Sequence, residues 1–308
     1  MVDIPPLRLG TRGSPLALAQ ALAVRTRLLA AHAGLEEEAV PLVVIRTSGD
    51  RIQDQPLSAL GGKGLFTKEI EEALLAGEID LAVHSMKDVP TVLPAGLSID
   101  CLLPREDPRD AFLSPRFAGL AALPAGARVG SSSLRRQAQL RHRRPDLTLV
   151  DFRGNVDTRL RKLAEGQVDA TLLAVAGLNR LGLAACITAV LPAETMLPAV
   201  AQGAIGIERR ADDDRLAAFL APLNCATTAA RIAAERAMLA VLDGSCRTPI
   251  AALAELDGTG CHLRGEILTP DGRQVHRAER RGSADEAAAL GRDLGRELRR
   301  LGGPDFFR

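Results

Sequence analysis

The first two thirds of the sequence alternate short apolar runs with helix-like stretches, and this alternation restricts the possible folds more than any other feature. Ser14 followed by Pro15 is a strong helix-start signal, because serine caps the first amides and proline is preset for the first turn. The expected strands are residues 7–10, 42–45, 79–83, 128–130, 147–152 and 168–175. Strand, helix and strand in this order are typical of parallel βαβ units, so we expect an α/β fold.

The same periodicity predicts which side chains are buried. Leu18, Leu22 and Leu29 fall on one face of the first helix and are expected to pack inward. The continuous apolar run 42–45 is typical of a strand that is covered on both faces. Further helices are expected over residues 67–76 and 156–164, and Gly77 ends the first of these.

The rhythm occurs twice, which predicts two similar α/β halves. Residues 103–115 are rich in proline and charge and predict a linker between them. A short echo supports the repeat, since Gly77-Glu78-Ile79-Asp80 precedes one expected strand and Gly166-Gln167-Val168-Asp169 precedes another. A cleft between two such halves is the natural place for a ligand.

The last third of the chain has a different pattern. Turn signals at residues 257–260 and 269–272 separate short strands, which is typical of hairpins. Ser283 and Glu286 form a capping box before a helix whose leucine stripe is Leu290, Leu294, Leu298 and Leu301. We therefore expect a small C-terminal α+β domain with an antiparallel sheet.

Composition excludes several classes of protein. The apolar fraction, 46%, is ordinary for a globular chain, which argues against disorder. The 39 basic and 38 acidic residues nearly cancel, so a general polyanion binder is not expected. Aromatic residues make up 2%, which leaves almost no platforms for stacking nucleic-acid bases. No apolar run approaches the roughly 20 residues that span a bilayer, so no membrane partner is expected.

The cysteines and the N-terminus indicate a cytoplasmic protein. The 5 cysteines are scattered and include no C-x-x-C pair, which argues against a disulfide framework or a zinc site. The first residues contain no basic stretch followed by an apolar core, so no signal peptide is expected.

Arginine is concentrated locally between residues 128 and 162, where 10 basic residues face 3 acidic ones. Arg135 and Arg136 lie in the first turn of an expected helix, where the dipole disfavours cations unless an anion joins them. Arg153 and Arg159 flank the end of an expected strand, where ligands of parallel sheets bind. Arginine suits bidentate binding of carboxylate or phosphate. The alternative is a solvated helix face, and it is favoured for three of the arginines, namely Arg141, Arg143 and Arg144.

Other candidate residues are ambiguous from spacing alone. Lys63 lies in a glycine-rich loop that lacks the spacing of a nucleotide-binding P-loop; it either delivers a cation to an anion or forms a plain turn. Asp88 and Lys87 follow a strand, where a salt-bridged turn is the favoured interpretation, and His84 is interpreted as structural. Cys246 lies beside Arg247, a neighbour that lowers thiol pKa. The remaining cysteines, Cys101, Cys186, Cys225 and Cys261, are interpreted as small core residues.

Eight motifs in fixed order make the chain resemble the porphobilinogen deaminase (hydroxymethylbilane synthase) family of tetrapyrrole biosynthesis. They are T-R-G-S-P-L-A-L-A-Q from Thr11, G-G-K-G-L-F-T-K-E from Gly61, A-V-H-S-M-K-D-V-P from Ala82, G-S-S-S-L-R-R-Q from Gly130, F-R-G-N-V-D-T-R-L from Phe152, L-A-V-A-G-L from Leu173, Q-G-A-I-G-I-E from Gln202 and D-G-S-C-R-T-P-I from Asp243. Three departures are Ala59, where some relatives carry lysine, Asp157, at a position that is often neutral, and Ser131, which replaces a common threonine and keeps the hydroxyl.

The resemblance implies a three-domain fold. Two α/β domains would resemble the halves of periplasmic binding proteins, comprising residues 1–103 with 203–221 and residues 104–202. Residues 222–308 would form the third domain, which carries the loop for cofactor attachment.

The resemblance also implies an activity. The family joins four porphobilinogen molecules head to tail, loses one ammonia at each step and releases hydroxymethylbilane by hydrolysis. Asp88 matches the catalytic carboxylate, and a dipyrromethane cofactor would be bound through a thioether to Cys246. By motif position the cofactor would also contact Lys87, Ser133, Arg135 and Arg136. The substrate would be bound by Arg12, Ser14, Lys63, Ser85, Arg153, Arg159 and Arg180. The family suggests a monomer and implies no metal ligands.

Two other classes of protein remain as alternatives. A two-lobed anion-binding protein would explain the paired halves and the arginines, but it would not explain the Cys246 loop. A nucleic-acid binder would explain the basic segment, but the scarcity of aromatic residues and the neutral total charge oppose it.

Overall fold

A computed structural model describes residues 6–51, 64–244, 248–304 and 306–307. Contacts divide the chain into two compact units. The first unit comprises Met1–Gln53, Gly62–Arg105 and Ala204–Ala229, and the second comprises Asp54–Gly61, Glu106–Gly203 and Ala230–Arg308. Lys63, Cys246 and Arg247 lie outside the described residues, as does Ala59.

The described residues form short strands and mostly short helices. The strands are β1 (Leu9–Arg12), β2 (Leu42–Ile45), β3 (Leu81–Ser85), β4 (Leu97–Leu102), β5 (Asp110–Leu113), β6 (Arg128–Gly130), β7 (Thr148–Val150), β8 (Ala170–Ala174), β9 (Ala189–Val190), β10 (Ile205–Arg210), β11 (Ile250–Asp257), β12 (Gly260–Leu268) and β13 (Val275–Ser283). The α-helices are α1 (Pro15–Ala31), α2 (Ser48–Arg51), α3 (Lys68–Leu75), α4 (Leu134–Arg143), α5 (Val156–Ala164), α6 (Val175–Arg180), α7 (Asp214–Leu220), α8 (Ala226–Val241) and α9 (Ala287–Gly302). Single 3₁₀ turns cover Glu37–Ala39, Met86–Asp88, Leu120–Ala122, Ala184–Cys186, Ala221–Leu223 and Ala284–Glu286.

The first unit is built on a five-stranded sheet of order β2-β1-β3-β10-β4. β1 is parallel to β2 and β3, whereas β10 runs antiparallel to β3 and β4. Helix α1 buries Ala21, Val24 and Leu28 against this sheet, and α3 contributes Ile70 and Leu74 to a separate apolar cluster. The carboxyl ends of the parallel strands therefore carry Arg12 and Ser85 to one edge of the sheet.

The second unit repeats this arrangement in a sheet of order β7-β6-β8-β5-β9. Strands β7, β6 and β8 are again parallel, and β5 runs antiparallel to both of its neighbours, β8 and β9. The sequence echo falls before the corresponding strands β3 and β8. Each echo aspartate accepts a hydrogen bond from a backbone amide, Asp80 from Arg8 at 3.0 Å and Asp169 from Arg128 at 2.7 Å. The predicted two similar α/β halves are confirmed.

The C-terminal part of the second unit is an antiparallel meander of order β11-β12-β13. Helix α9 packs on it through Leu294 and Leu298, where Gly265 leaves room because a Cβ there would lie 3.0 Å from both side chains. The predicted small α+β element with two hairpins is confirmed.

Several local predictions were wrong. The expected linker 103–115 contains the fully buried strand β5. This strand was missed because a short strand flanked by prolines and charges has no visible periodicity. Strand β2 lies at the edge of its sheet, so Val44 is 52% exposed instead of covered on both faces. Leu22 and Leu301, assigned to the inner faces of their helices, are also exposed.

Candidate active site

The turn that carries Asp88 follows directly from β3. Ser85, the last residue of that strand, exchanges hydrogen bonds with the Gln20 side chain of α1 at 2.8 and 3.1 Å. The backbone amide of Met86 donates to the carbonyl oxygen of Ala204 at 3.0 Å. These contacts fix both the strand end and the start of the Met86–Asp88 turn, and they leave the Asp88 carboxylate partly exposed.

Arg12, at the end of β1, lies between two carboxylates. Its Nε and Nη2 donate to Asp50 at 3.2 and 2.5 Å, and its Nη1 lies 4.0 Å from Oδ2 of Asp88. The Phe66 ring lies 4.2 Å from the guanidinium carbon and covers one face of that group. Asp88 therefore has an ion-pair partner on another strand, which spacing along the chain did not indicate.

Asp50 is held in place by its neighbours. The Thr47 hydroxyl donates to Oδ2 of Asp50 at 2.8 Å. Burial alone would raise the pKa of Asp50, but the hydrogen bond and positive charge of Arg12 lower it below its ordinary value. Asp50 is thus a fixed negative charge that orients Arg12.

Two other predicted residues of the first unit have clear positions. Ser14 is the N-cap of α1, and its Oγ accepts a hydrogen bond from the Ala17 amide at 3.3 Å. Lys87 lies exposed on the Met86–Asp88 turn. The structure therefore brings Arg12, Ser85 and Asp88 together at one sheet edge, whereas Ser14 serves as a helix cap.

In the second unit, Arg135 and Arg136 are buried around one carboxylate. Asp110, at the start of β5, accepts from Arg135 Nη2 at 2.7 Å through Oδ2 and from Arg136 Nη2 at 2.7 Å through Oδ1. Gln202 also donates to Oδ1, at 2.9 Å. Burial alone would raise the pKa of Asp110, but the two guanidinium charges hold it far below its ordinary value. The anion that the sequence predicted beside these arginines is thus the protein's own carboxylate, Asp110. Ser133 is the N-cap of α4, the helix that carries both arginines.

A second group of arginines has less negative charge around it. Arg159 Nε donates to the Gly154 carbonyl at 2.7 Å, and burial together with the charges of Arg136 and Arg153 lowers the pKa of Arg159 to about 10. Nη1 of Arg153 is buried without a hydrogen-bond partner in the described part of the chain. A buried N–H without a partner costs stability, so these groups are prepared to receive an acceptor.

Gly154 allows the close approach in this region. Its φ is +125°, and a Cβ there would lie 2.7 Å from Cγ2 of Thr158.

Arg180, at the end of α6, donates to the Gly203 carbonyl at 2.6 Å, and burial lowers its pKa to about 10. Asp157, which the sequence placed between two arginines, is exposed on α5.

Sequence reasoning missed several residues that hold the candidate site. Asp50 and Asp110 carry no local signal, because their arginine partners are 38 and 25 residues away. Gln20 is the last residue of the motif that begins at Thr11, and Gln202 is the first residue of the motif Q-G-A-I-G-I-E. Their positions within these motifs could have indicated both residues.

The described cysteines differ in exposure. Cys101 and Cys261 are buried as expected, and burial raises the pKa of Cys101 to about 12. Cys186 is exposed and Cys225 is half-exposed, so their assignment to the core was wrong. Burial alone would raise the pKa of Cys225, but hydrogen bonds from Thr227 and Thr228 lower it below its ordinary value.

The described residues contain no group of three or more His, Cys, Asp or Glu side chains placed to hold a metal ion. In the same part of the chain no single helix is both long and apolar enough to cross a membrane; the bent pair Asp214–Leu223 and Ala226–Val241 meets those criteria only when taken together.

Comparison with known families decides the assignment. Residues 7–218 match the family model described as porphobilinogen deaminase, dipyromethane cofactor binding domain, and residues 229–300 match the porphobilinogen deaminase C-terminal domain. The chain belongs to the porphobilinogen deaminase family. Members of this family are transferases that polymerise porphobilinogen in tetrapyrrole biosynthesis.

Individual curated relatives support the same family assignment. The porphobilinogen deaminase of Paracoccus denitrificans is 62% identical over 98% of this chain and 96% of its own length. The chloroplastic porphobilinogen deaminase of Oryza sativa is 57% identical over 98% of this chain and 85% of its own length. Among solved structures, the methionine binding protein MetQ covers 71% of this chain and 89% of its own at 15% identity, with a TM-score of 0.44.

Proposed function

We propose that this protein joins four porphobilinogen molecules head to tail, with loss of one ammonia at each step, and releases hydroxymethylbilane by hydrolysis. The observation that carries the proposal is the carboxylate of Asp88, held partly exposed at the sheet edge beside a guanidinium that Asp50 already neutralises. We further propose that the protein acts as a cytoplasmic monomer, without a nucleic-acid or membrane partner.

Substrate binding is assigned to the arginines. Each porphobilinogen carries an acetate and a propionate, so a growing chain accumulates carboxylates. Arg153 has a buried Nη1 without a hydrogen-bond partner among the described residues, and Arg159 is partly buried beside other guanidinium charges. Both are therefore suited to receive a carboxylate. Arg12, Ser14, Lys63, Ser85 and Arg180 are proposed as further substrate contacts.

The chemistry is assigned to Asp88. In each step the bond between the aminomethyl carbon and its protonated nitrogen breaks, ammonia leaves with the electron pair of that bond, and an azafulvene cation remains. A carboxylate near the pyrrole N–H stabilises that cation as its charge develops. The next pyrrole then forms the new carbon–carbon bond, and its ring carbon loses a proton that Asp88 can accept.

The residues present fit a dipyrromethane cofactor, since its pyrrole carboxylates need N–H donors. Nε of Arg135 is buried without a hydrogen-bond partner among the described residues, although Asp110 occupies Nη2 of the same side chain. Lys87, Ser133, Arg135 and Arg136 are proposed to hold the cofactor, and Cys246 to bind it through a thioether. When bound, the cofactor supplies the primer to which the first substrate unit is joined.

The test is the intact mass of the purified full chain, measured before and after addition of porphobilinogen. The proposal predicts a two-pyrrole adduct beforehand, mapped to Cys246. It also predicts a ladder of masses afterwards, with increments of one substrate unit less ammonia. Cys246→Ser should lack the adduct, whereas the matched Cys225→Ser should retain it. An unmodified protein that binds porphobilinogen without any change of mass would instead indicate an anion-binding protein.

A further inference from the structure

We propose that His84 and Glu208 are positioning residues that hold the Asp88 turn in register, an inference that rests on the proposed function of Asp88. Nε2 of His84 lies 2.9 Å from Oε2 of Glu208, and the two side chains are 3% and 1% exposed. His84 precedes Ser85 at the end of β3, and Glu208 lies in the middle of β10. Nothing in the reaction assigned above uses this pair.

The pair crosses the β3–β10 ladder diagonally. Gly206 lies opposite His84 and Glu208 lies opposite Ala82, so the two side chains meet across one step of the antiparallel pairing. One further registered pair, Ser85 with Ile205, separates this step from the Met86–Asp88 turn. The hydrogen bond therefore fixes the relative position of the two strands close to the start of the turn.

The turn itself packs directly on β10. A Cβ on Gly206 would lie 2.2 Å from Sδ of Met86, so the Met86 side chain occupies the space above that glycine. The Met86 amide donates to the Ala204 carbonyl at 3.0 Å. A shift of β10 along β3 would consequently move Met86 and, two residues later, Asp88.

Stability alone does not account for this pair. Two ionisable groups removed from water lose hydration, and an apolar pair of similar volume is often equally stable or more so. Oε1 of Glu208 is buried without a hydrogen-bond partner among the described residues, as is Oε1 of Glu71. Burial, followed by the charge of Glu208, raises the pKa of Glu71. The cluster of His84, Glu208 and Glu71 thus lowers the stability of the fold. We assign its benefit to the directional hydrogen bond between His84 and Glu208.

The size of the expected effect follows from catalytic geometry. A displacement of a reacting group by about 1 Å can lower a rate about 10²-fold. An apolar pair at positions 84 and 208 would fill the space but would not fix the strands through a hydrogen bond. We therefore expect a loss of turnover that is separable from any loss of stability.

The chain contains a matched control. His262 and Glu279 form the same contact, at 2.8 Å, diagonally across the antiparallel pair β12–β13. That pair is solvent-exposed, with side chains 24% and 60% accessible. His262→Leu/Glu279→Met therefore removes the same chemistry from the same kind of ladder, far along the chain from Asp88.

The experiment compares His84→Leu/Glu208→Met with this control and with the parental protein. Melting temperature, the mass of the cofactor adduct, kcat and KM are measured on the same samples. The proposal predicts that the double variant melts within a few degrees of the parent and keeps its adduct. It also predicts that kcat falls at least tenfold while KM changes less than threefold, and that the control variant keeps parental values. A folded double variant with parental kcat would overturn the proposal.

A second variant keeps the test decisive if the double variant does not fold. Glu208→Gln keeps an acceptor for His84 but makes the weaker hydrogen bond of a neutral amide. It should therefore fold and lose less turnover than the double variant, at least threefold but under tenfold. Parental kcat in folded Glu208→Gln, combined with an unfolded double variant, would assign the pair to stability alone and end the proposal. Failure of the proposed function is separately visible, because the parental protein itself would then not consume porphobilinogen.

Discussion

The guanidinium of Arg12 is shared unequally between two carboxylates, since it donates twice to Asp50 and lies 4.0 Å from Oδ2 of Asp88. Asp50 therefore takes most of the charge of Arg12, and Asp88 retains a negative charge that is only partly compensated. A carboxylate whose negative charge is only partly compensated is suited to stabilise a cation that forms during a reaction.

Asp50→Asn tests this sharing. Without the charge of Asp50, the guanidinium is expected to turn towards Asp88 and pair with it fully, which withdraws the carboxylate from the substrate. A charge-assisted hydrogen bond contributes about 1.5–3 kcal/mol, so kcat should fall by about one to two decades. Steady-state kinetics measures this, with Asp146→Asn as control because Asp146 pairs with Arg144 at the surface. Equal kcat in both variants would contradict the role of Asp50.

Arg135→Ala and Arg143→Ala should differ in stability. Arg135→Ala leaves the buried Asp110 with one guanidinium in place of two, and removing a partner from a buried ion pair typically costs about 3–5 kcal/mol. Arg143 is exposed, so its removal should change the free energy of unfolding by less than about 0.5 kcal/mol. Urea denaturation compares the two. Cofactor loading should also fall for Arg135→Ala alone, and a comparable loss in Arg143→Ala would show that the buried arginines were misassigned.

Arg159→Gln should weaken substrate binding more than Arg161→Gln does. Both residues lie on α5, but Arg159 is partly buried with a lowered pKa, whereas Arg161 is 66% exposed and paired with Glu165. Loss of one charge-assisted contact of about 1.5–3 kcal/mol should raise KM by about one to two decades. The exposed pair contributes about 0–1 kcal/mol, so Arg161→Gln should leave KM nearly unchanged. The assignment fails if the two variants have the same KM.

Glu71 should make stability depend on pH. Burial, followed by the charge of Glu208, raises its pKa in the folded protein above the ordinary 4.5. The folded state then binds more protons than the unfolded state between 4.5 and the raised value, so stability should fall as pH increases through that window. Glu71→Gln should remove this slope. Unfolding midpoints measured across the window test it, and identical slopes in parent and variant would contradict the buried position of Glu71.

Periodicity predicted much of the fold because local patterns determine local structure. The start of α1 at Pro15 and the bounds of α5, residues 156–164, agree with the sequence prediction, since caps and apolar spacing lie within each segment. Strand β5 was missed because it has only four residues among prolines and charges. Strand β10 gave no local signal of its place between β3 and β4, which precede it by about a hundred residues.

The candidate site was predictable only in part. Motifs indicated Asp88 and the arginines, but they did not indicate the carboxylates that hold those arginines. The contact between Arg135 and Asp110 joins α4 to a strand that the sequence assigned to a linker. Such a contact depends on how distant segments meet in the folded chain, and spacing along one segment does not report it.

The most direct test of the central claim is single-turnover ammonia release by Asp88→Asn, measured on samples whose melting temperature and cofactor adduct are also recorded. The amide keeps the size of Asp88 and removes its charge, so folding and the adduct should persist while the rate falls by about 10²–10³. Asp88→Glu, which keeps the charge but displaces it, should retain more activity than Asp88→Asn. A folded Asp88→Asn protein that carries the adduct and releases ammonia at the parental rate would contradict the account.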